Sequence, residues 1–401
     1  MGDASAGSPM NQIAPIRPDA ARNLPQPAAL RAGIGAVLDI DLDAIAANRA
    51  KLIEVAGGLD CAAVVKADAY GLGAEAVAAA LARAGCDKFF VAHIDEGIAL
   101  RAAVPTASIF VLHGVVPGAE GAMCAYGLIP VLSTPAQIEI WRERAARRGK
   151  NLPAALHLDT GMARLGLSEH EFYALANDPS NLAGLDLRLV LSHLAAAEEK
   201  DNPSNARQRE KFEDLRKRLP KIPASLANSS GVFLGRAYHF DLLRPGAALY
   251  GIAPRADEPN PLAQVVKLSA RVLRVDDLPA KTPVGYNGRY VTPAPSRIAT
   301  LSLGYADGFC RALGNSRVNA GFAGQKLPIV GNVSMDMITV DASSLPPGRL
   351  REGDFVDVIG GDADSVDRIA QAAGTIGYEI LTALGARFQR RHSFSNEGRL
   401  A

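Results

Sequence analysis

The chain has little of what would mark a disulfide-stapled, metal-binding, nucleic-acid-binding or membrane protein. Its four cysteines, Cys61, Cys86, Cys124 and Cys310, stand apart without metal-ligand spacing, so reduced thiols and no metal site are expected. Neither sign of charge is in excess: 43 Lys and Arg face 42 Asp and Glu, which leaves no field to draw in nucleic acid or an anionic membrane. No apolar run approaches a membrane span, and residues 1–35 lack a basic start followed by a continuous apolar segment. These absences point to a cytoplasmic protein that acts on small molecules and carries a loose N-terminal tail over residues 1–35.

What the chain does have is apolar residues in quantity, 48% of its 401, enough to bury a large core in two domains. From Cys61 onward a short apolar strand, a turn and an Ala-rich or charged helix recur, and such alternation implies a parallel sheet. Strands are expected at 61–66, 88–93, 108–113, 128–133, 154–159, 187–193, 224–228 and 240–244, which together suggest an α/β fold of the (β/α)8 barrel type. Thr134-Pro135-Ala136-Gln137 and Ser168-Glu169-His170-Glu171 read as capped helix starts, and Gly149 as a helix stop. Val37-Leu38-Asp39-Ile40-Asp41-Leu42 alternates as a half-buried strand does and is free to pair outside the barrel. Beyond Gly251 the segments become short, β-rich and punctuated by turns, and Pro254, Pro259 and Pro261 mark a linker. The expected domains are a barrel over 36–260 and a mainly β domain over 261–401.

Catalytic groups in such a barrel sit at the carboxyl ends of the strands. Here those ends carry Lys66, His93, His113, Ser133, Arg164, His193, Asn228-Ser229 and Arg244-Pro245-Gly246. A lysine ending an apolar strand presents an amine at a pocket rim, where desolvation makes it a nucleophile suited to a Schiff base. The same lysine could simply snorkel into water, and the decapeptide from Val64 to Gly73 leaves both readings open. His93 and His113 are expected to be structural imidazoles bonded to backbone. The last two clusters follow strands seven and eight, where this fold commonly holds a phosphate, so a phosphate-bearing ligand is implied.

From about residue 36 to 392 the chain resembles the alanine racemases, pyridoxal-phosphate enzymes built from a barrel and a β domain. The resemblance rests on Val65-Lys66-Ala67-Asp68-Ala69-Tyr70-Gly71, on Asp159-Thr160-Gly161-Met162-Ala163-Arg164-Leu165-Gly166, on Ser192-His193, Ala227-Asn228-Ser229 and Arg244-Pro245-Gly246, and on Gly304-Tyr305-Ala306-Asp307-Gly308 and Ser334-Met335-Asp336, in that order. It implies that Lys66 holds pyridoxal 5'-phosphate and moves a proton on one face of the substrate Cα, with Tyr286 as the base on the other. It also implies that this tyrosine comes from the partner subunit of a homodimer, with Met335 and Asp336 beside it. Arg244 would face the pyridine nitrogen, Arg164 the cofactor phenolate and substrate carboxylate, and Tyr70, Ser229, Gly246 and Tyr378 the phosphate, with Asn228 adjoining and His193 between Tyr286 and Arg244. Tyr286, Tyr305, Tyr378 and Met335 would limit the substrate to small amino acids, although Tyr305 and Tyr378 also suit the core of a β domain.

The chain departs from the family pattern in places. His157 stands where family members have a lysine whose carbamate supports the equivalent of Arg164, so another anion or contact is expected to orient Arg164. The tyrosine motif reads Gly285-Tyr286-Asn287 rather than a Tyr-Gly pair, and Ser334 replaces a cysteine found in some members. Broader amino-acid racemisation and a non-catalytic pyridoxal-phosphate carrier remain alternatives, whereas a decarboxylase would be expected to place an acid where Arg244 stands. D-alanine supply for the cell wall and L-alanine breakdown are both open as roles.

Overall fold

The computed structural model describes residues 33–394, so all but the last three residues of the tail expected over 1–35 lie outside the described residues. A parallel ladder runs from Ala63–Val64 through Lys88–Val91, Ser108–Val111, Leu128–Leu132, Leu152–His157 and Leu185–Leu191 to Ala224–Ser225. An eighth strand closes the ring: Asp241 N donates to Ala224 O at 2.9 Å and Arg244 N to Ala227 O at 3.0 Å. On its other side Leu242 and Leu243 pair in parallel with Asp60 and Cys61, and Val64 N donates to Pro245 O at 3.0 Å. The expected (β/α)8 barrel is therefore formed. Several strands stop short of the expected ends, because the chain turns aside at their polar carboxyl termini.

The strand pleat decides what reaches the barrel mouth. Val64, Val131, Ala155, Leu191 and Leu242 belong to the apolar cluster that fills the barrel interior. Side chains two residues apart share a face, so Lys66, Ser133, His157, His193 and Arg244 continue the inward side at the carboxyl end. His93 and His113 fall on the opposite parity from Phe90 and Phe110 of the same cluster. Their rings meet edge-on, with centroids 4.4 Å apart, and both are exposed.

Helices outside the barrel begin and end with the anticipated chemistry. Thr134 Oγ1 accepts from Gln137 N at 3.2 Å, and Gly149 ends Pro135–Arg148 at φ 60°. Gln137 Oε1 accepts from Ser133 N rather than from the N-cap itself. Ser168 and Glu171 cap reciprocally.

The second domain is an antiparallel sheet in which Val266–Leu278, 13 residues long, pairs with Phe355–Ile359 and with Ser296–Leu301, closing the sheet on itself. Ala36–Asp41, counted with the barrel by the 36–260 boundary, pairs with this strand instead, and Gln389–Ser393 adds beyond it in parallel. The acidic alternation of Ala36–Asp41 suits such a half-solvated sheet. Gln389–Ser393 was not anticipated, since a Gln-Arg-Arg-His-Ser segment lacks the apolar residues that signal a strand.

Both domains grip the turn that follows Lys66. Ala67, Asp68, Ala69 and Tyr70 are all left-handed, with φ between 52° and 59°. Each such non-glycine residue costs on the order of 1 kcal/mol or more, so the turn persists only because its surroundings determine it. Arg390 Nε donates to Gly71 O at 3.2 Å, and His392 Nε2 lies 2.6 Å from Leu72 O. A Cβ on Gly71, at φ 84°, would come within 2.9 Å of Leu381 O. Gly71→Ala is therefore expected to destabilise the chain by about 2 kcal/mol or more in urea titration. Gly57→Ala, at φ 72° with nothing near its Cβ, is expected to cost about 1 kcal/mol or less. Equal losses would refute the clamp.

Candidate active site

The inward strand ends assemble a cluster of basic groups. Lys66 is half-buried, and its amine is held below the usual lysine range, first by burial and next by the Arg164 guanidinium, with Arg244 adding to the effect and Glu96 opposing it. Arg244 is buried, its Nε donating to Ser225 Oγ at 2.8 Å and its Nη2 to Ser192 O. No carboxylate pairs with it among the described residues, and burial brings its pKa down to about 10. His193 lies beside both arginines, and burial together with their charge drives its pKa well below 6.5.

The loop after Leu152–His157 is built to present Arg164. Asp159 Oδ1 accepts from Gly161, Met162 and Ala163 N at 2.9, 3.0 and 3.2 Å. Burial works against its ionisation, but the three N–H groups prevail and hold Asp159 below the usual carboxylate range. Thr160 Oγ1 lies 2.8 Å from Ser192 Oγ, whose residue carbonyl receives Arg244, so this loop and the eighth strand are hydrogen-bonded as one unit. Arg164 itself is exposed and makes no hydrogen bond or ion pair among the described residues. The Asp159 turn fixes the backbone of the loop that carries it. His157 sits behind, buried, with Nδ1 3.4 Å from Ser133 Oγ and its pKa brought down to about 4 by burial and then by Arg244.

A second group lies across the mouth. Tyr70 packs 4.7 Å from Tyr250 and 5.9 Å from Tyr378, ring centre to ring centre. Ser229 Oγ accepts from Gly246 N at 3.0 Å and Ala248 N at 3.1 Å. A side chain on Gly246 would overlap the Tyr70 hydroxyl, so this position needs glycine. Burial raises Tyr70 to about 12 and Tyr378 further, which keeps both phenols protonated donors. Asn228 Oδ1 accepts from Gly231 N at 2.8 Å and shapes this loop. Tyr250, not singled out in the sequence, donates to Val64 O at 2.9 Å from within the core.

Tyr286, Tyr305, Met335 and Asp336 form a separate group on the second domain. Tyr286 is 69% exposed, and its carbonyl accepts from Asn332 Nδ2 at 3.0 Å. Tyr305 N and Ala306 N donate to Ser334 O and Met335 O, each at 3.0 Å. Arg387, also missed in the sequence, ties the two loops by donating to Asp307 at 2.6 Å and Asp336 at 2.8 Å. No hydrogen bond, ion pair or ring contact joins the side chains of this group to those around Lys66 among the described residues. Sequence reasoning also passed over Gln208, which is buried and holds His193 O and Ala195 N at 2.9 Å each. A buried Gln in a charged helix has no local signal.

With this geometry in hand, family models for the alanine racemase N-terminal domain and C-terminal domain match residues 40–254 and 265–392. The chain belongs to the alanine racemase family. It is 51% identical to the catabolic alanine racemase of Mesorhizobium japonicum over 94% of this chain and 98% of that protein. Identity to the alanine racemase of Rhodospirillum rubrum is 49%, over 90% and 97%. The solved alanine racemase of Bartonella henselae, with covalently bound pyridoxal phosphate, superposes with a TM-score of 0.84 at 42% identity, covering 90% of this chain and 99% of that one.

Within the racemase site His157 makes the fold acid-sensitive. Unfolded, it takes a proton near pH 6.5, and folded only near 4. Between those values the unfolded state binds more protons, so stability is complete above 6.5 and is lost as pH falls toward 4. His157→Asn, which keeps a polar atom for Ser133, is expected to reduce the urea-measured loss between pH about 7.5 and about 5 by about 2 kcal/mol. An unchanged loss would assign the acid sensitivity to other groups.

Proposed function

We propose that this chain interconverts L- and D-alanine with pyridoxal 5'-phosphate at the barrel mouth, through two bases on opposite faces of the substrate. The observation that carries this reading is the convergence of a depressed-pKa lysine, a buried arginine without a carboxylate and a Tyr-Ser-Gly donor set around one mouth. These residues fit the cofactor. The hydroxyls of Tyr70, Tyr378 and Ser229 suit a phosphate: Gly246 N and Ala248 N hold Ser229 Oγ in place, and the missing Cβ of Gly246 lets the Tyr70 hydroxyl sit beside it. Arg244, permanently charged and held by Ser225 and Ser192, would donate to the pyridine nitrogen and keep it unprotonated.

Bound pyridoxal phosphate supplies the electron sink that lets the Cα–H bond ionise. Lys66 would hold the cofactor and carry a proton to and from Cα on one face. Its amine is suited to this because burial and the Arg164 charge favour the neutral form. Arg164 would receive the substrate carboxylate, for which its exposed, unpaired guanidinium is free. Racemisation must return a proton to the opposite face, and Tyr286 is the candidate. It lies 69% exposed in a single chain, on a face that also exposes Tyr305, Met335 and Met337. That arrangement supports a homodimer in which Tyr286 of the partner subunit completes each site and Met335 and Asp336 crowd its mouth. His193, close enough to Arg244 and Arg164 to feel their charge, would link that tyrosine to fixed positive charge. The four free thiols suit a cytoplasmic setting.

Incubation with L-alanine in heavy water tests the activity: D-alanine carrying deuterium at Cα is expected, and none with Lys66→Ala. Parallel L-serine measures how far the pocket extends beyond alanine. Bound cofactor without exchange would favour a non-catalytic carrier. Tyr286→Phe separates one base from two: racemisation should fall by about 100-fold or more, while one enantiomer alone still exchanges its Cα hydrogen through Lys66. Loss of exchange from both enantiomers equally would argue against two independent bases.

A further inference from the structure

We propose that Glu96 is a positioning residue for Lys66, its two carboxylate oxygens joining the start of helix Ile94–Ala103 to the turn that carries the lysine and setting the charge beside the amine. This rests on the racemase reading above for what Lys66 does, but the geometry stands apart from it.

The two oxygens have different tasks. Oε2 accepts from Ala92 N at 2.7 Å and His93 N at 3.1 Å, as a Glu three residues into a helix does when it caps the start. Oε1 accepts from Ala67 N at 2.6 Å, 29 residues away in sequence. Capping does not require that bond. Ala67 is the residue after Lys66 and the first of four in left-handed conformation, so this N–H marks where the strained turn departs from the strand. A short bond to an ionised oxygen there is charge-assisted and directional. The bonds to Arg390 and His392 act further along, at Gly71 and Leu72, and Ala69 N donates back to Val65 O at 2.9 Å, so Ala67 N is held from outside the turn by Glu96.

Charge adds a second role. The amine of Lys66 feels Arg164 and Arg244, both favouring its neutral form, and the Glu96 carboxylate opposes them. Glu96 also faces His113, whose ring is near His93 and Lys66. It therefore tunes how much of the lysine is neutral, besides fixing where it stands. A glutamine cannot replace it: with one oxygen it could serve the cap or Ala67 N, while its NH2 would face the other N–H.

The test uses the full chain as wild type, Glu96→Gln and Glu96→Asp. Hydrogen exchange followed by mass spectrometry on the segment around residues 64–73 should be about tenfold faster or more in Glu96→Gln, with exchange in the rest of the barrel unchanged. Reductive methylation of cofactor-free protein against pH should show the Lys66 midpoint moving down in Glu96→Gln and returning toward wild type in Glu96→Asp, which restores the charge. The kcat for alanine should fall about tenfold in Glu96→Gln with KM little changed. Wild-type exchange together with a wild-type Lys66 midpoint in Glu96→Gln would overturn the proposal. If that variant fails to fold, Glu96→Asp decides: too short to span both partners, it should show a faster-exchanging turn with a near-normal Lys66 midpoint, and a normal turn would overturn the proposal. A wild type that does not racemise alanine would sink the functional reading alone, since exchange and methylation need no substrate.

Discussion

The left-handed turn after Lys66 is the constraint on which the molecule depends. Four consecutive non-glycine residues adopt a conformation that each disfavours, and the chain surrounds them from both domains. Glu96 takes the first N–H, Tyr70 is wedged between Tyr250 and Tyr378, and Arg390 and His392 hold the carbonyls of Gly71 and Leu72. The last strand, Gln389–Ser393, pairs with Ala36–Asp41, the described strand nearest the N-terminus, so both ends of the described chain are recruited to keep one lysine in place. The second domain is therefore structural support for the barrel's reactive end as well as the bearer of its own site residues.

Electrostatics imposes a second constraint. Lys66, Arg164, Arg244, His157 and His193 act on one another, and burial penalises the charge of each one whose pKa is depressed. Glu96 and Asp159 oppose this only in part: each favours the charged form of one neighbour, Lys66 and His157 respectively, but burial and the arginines outweigh them. Such a mouth costs stability when empty and recovers it when an anionic cofactor and a substrate carboxylate enter, since a ligand that binds only the folded state stabilises it by mass action.

The exposed group on the second domain completes this picture. Tyr286, Tyr305 and Met335 sit on loops made rigid by backbone pairing and by Arg387, yet their side chains lie open. A rigid scaffold for exposed aromatic and thioether groups is what a contact surface requires, because little entropy remains to be lost on docking. Under the proposed homodimer, one chain carries halves of two separate sites.

The recurrence of strand, turn and helix was enough to identify the barrel and to put Lys66, Ser133, His193 and Arg244 at its mouth, since the carboxyl ends of such strands gather at one face. Strand position alone does not separate His93 and His113 from them; the pleat of the formed sheet does, because both fall on the opposite parity from the inward-facing Phe90 and Phe110. Local chemistry likewise specified the helix starts at Thr134 and Ser168 and the stop at Gly149. The family motifs added the roles of Tyr70, Ser229, Gly246 and Tyr378. What alternation cannot reach is which far residues will meet. That Tyr378 packs on Tyr70, that Glu96 takes the N–H of Ala67 and that polar Gln389–Ser393 becomes a strand were decided by tertiary packing. Each depends on a contact between segments whose own sequences carry no mark of the other.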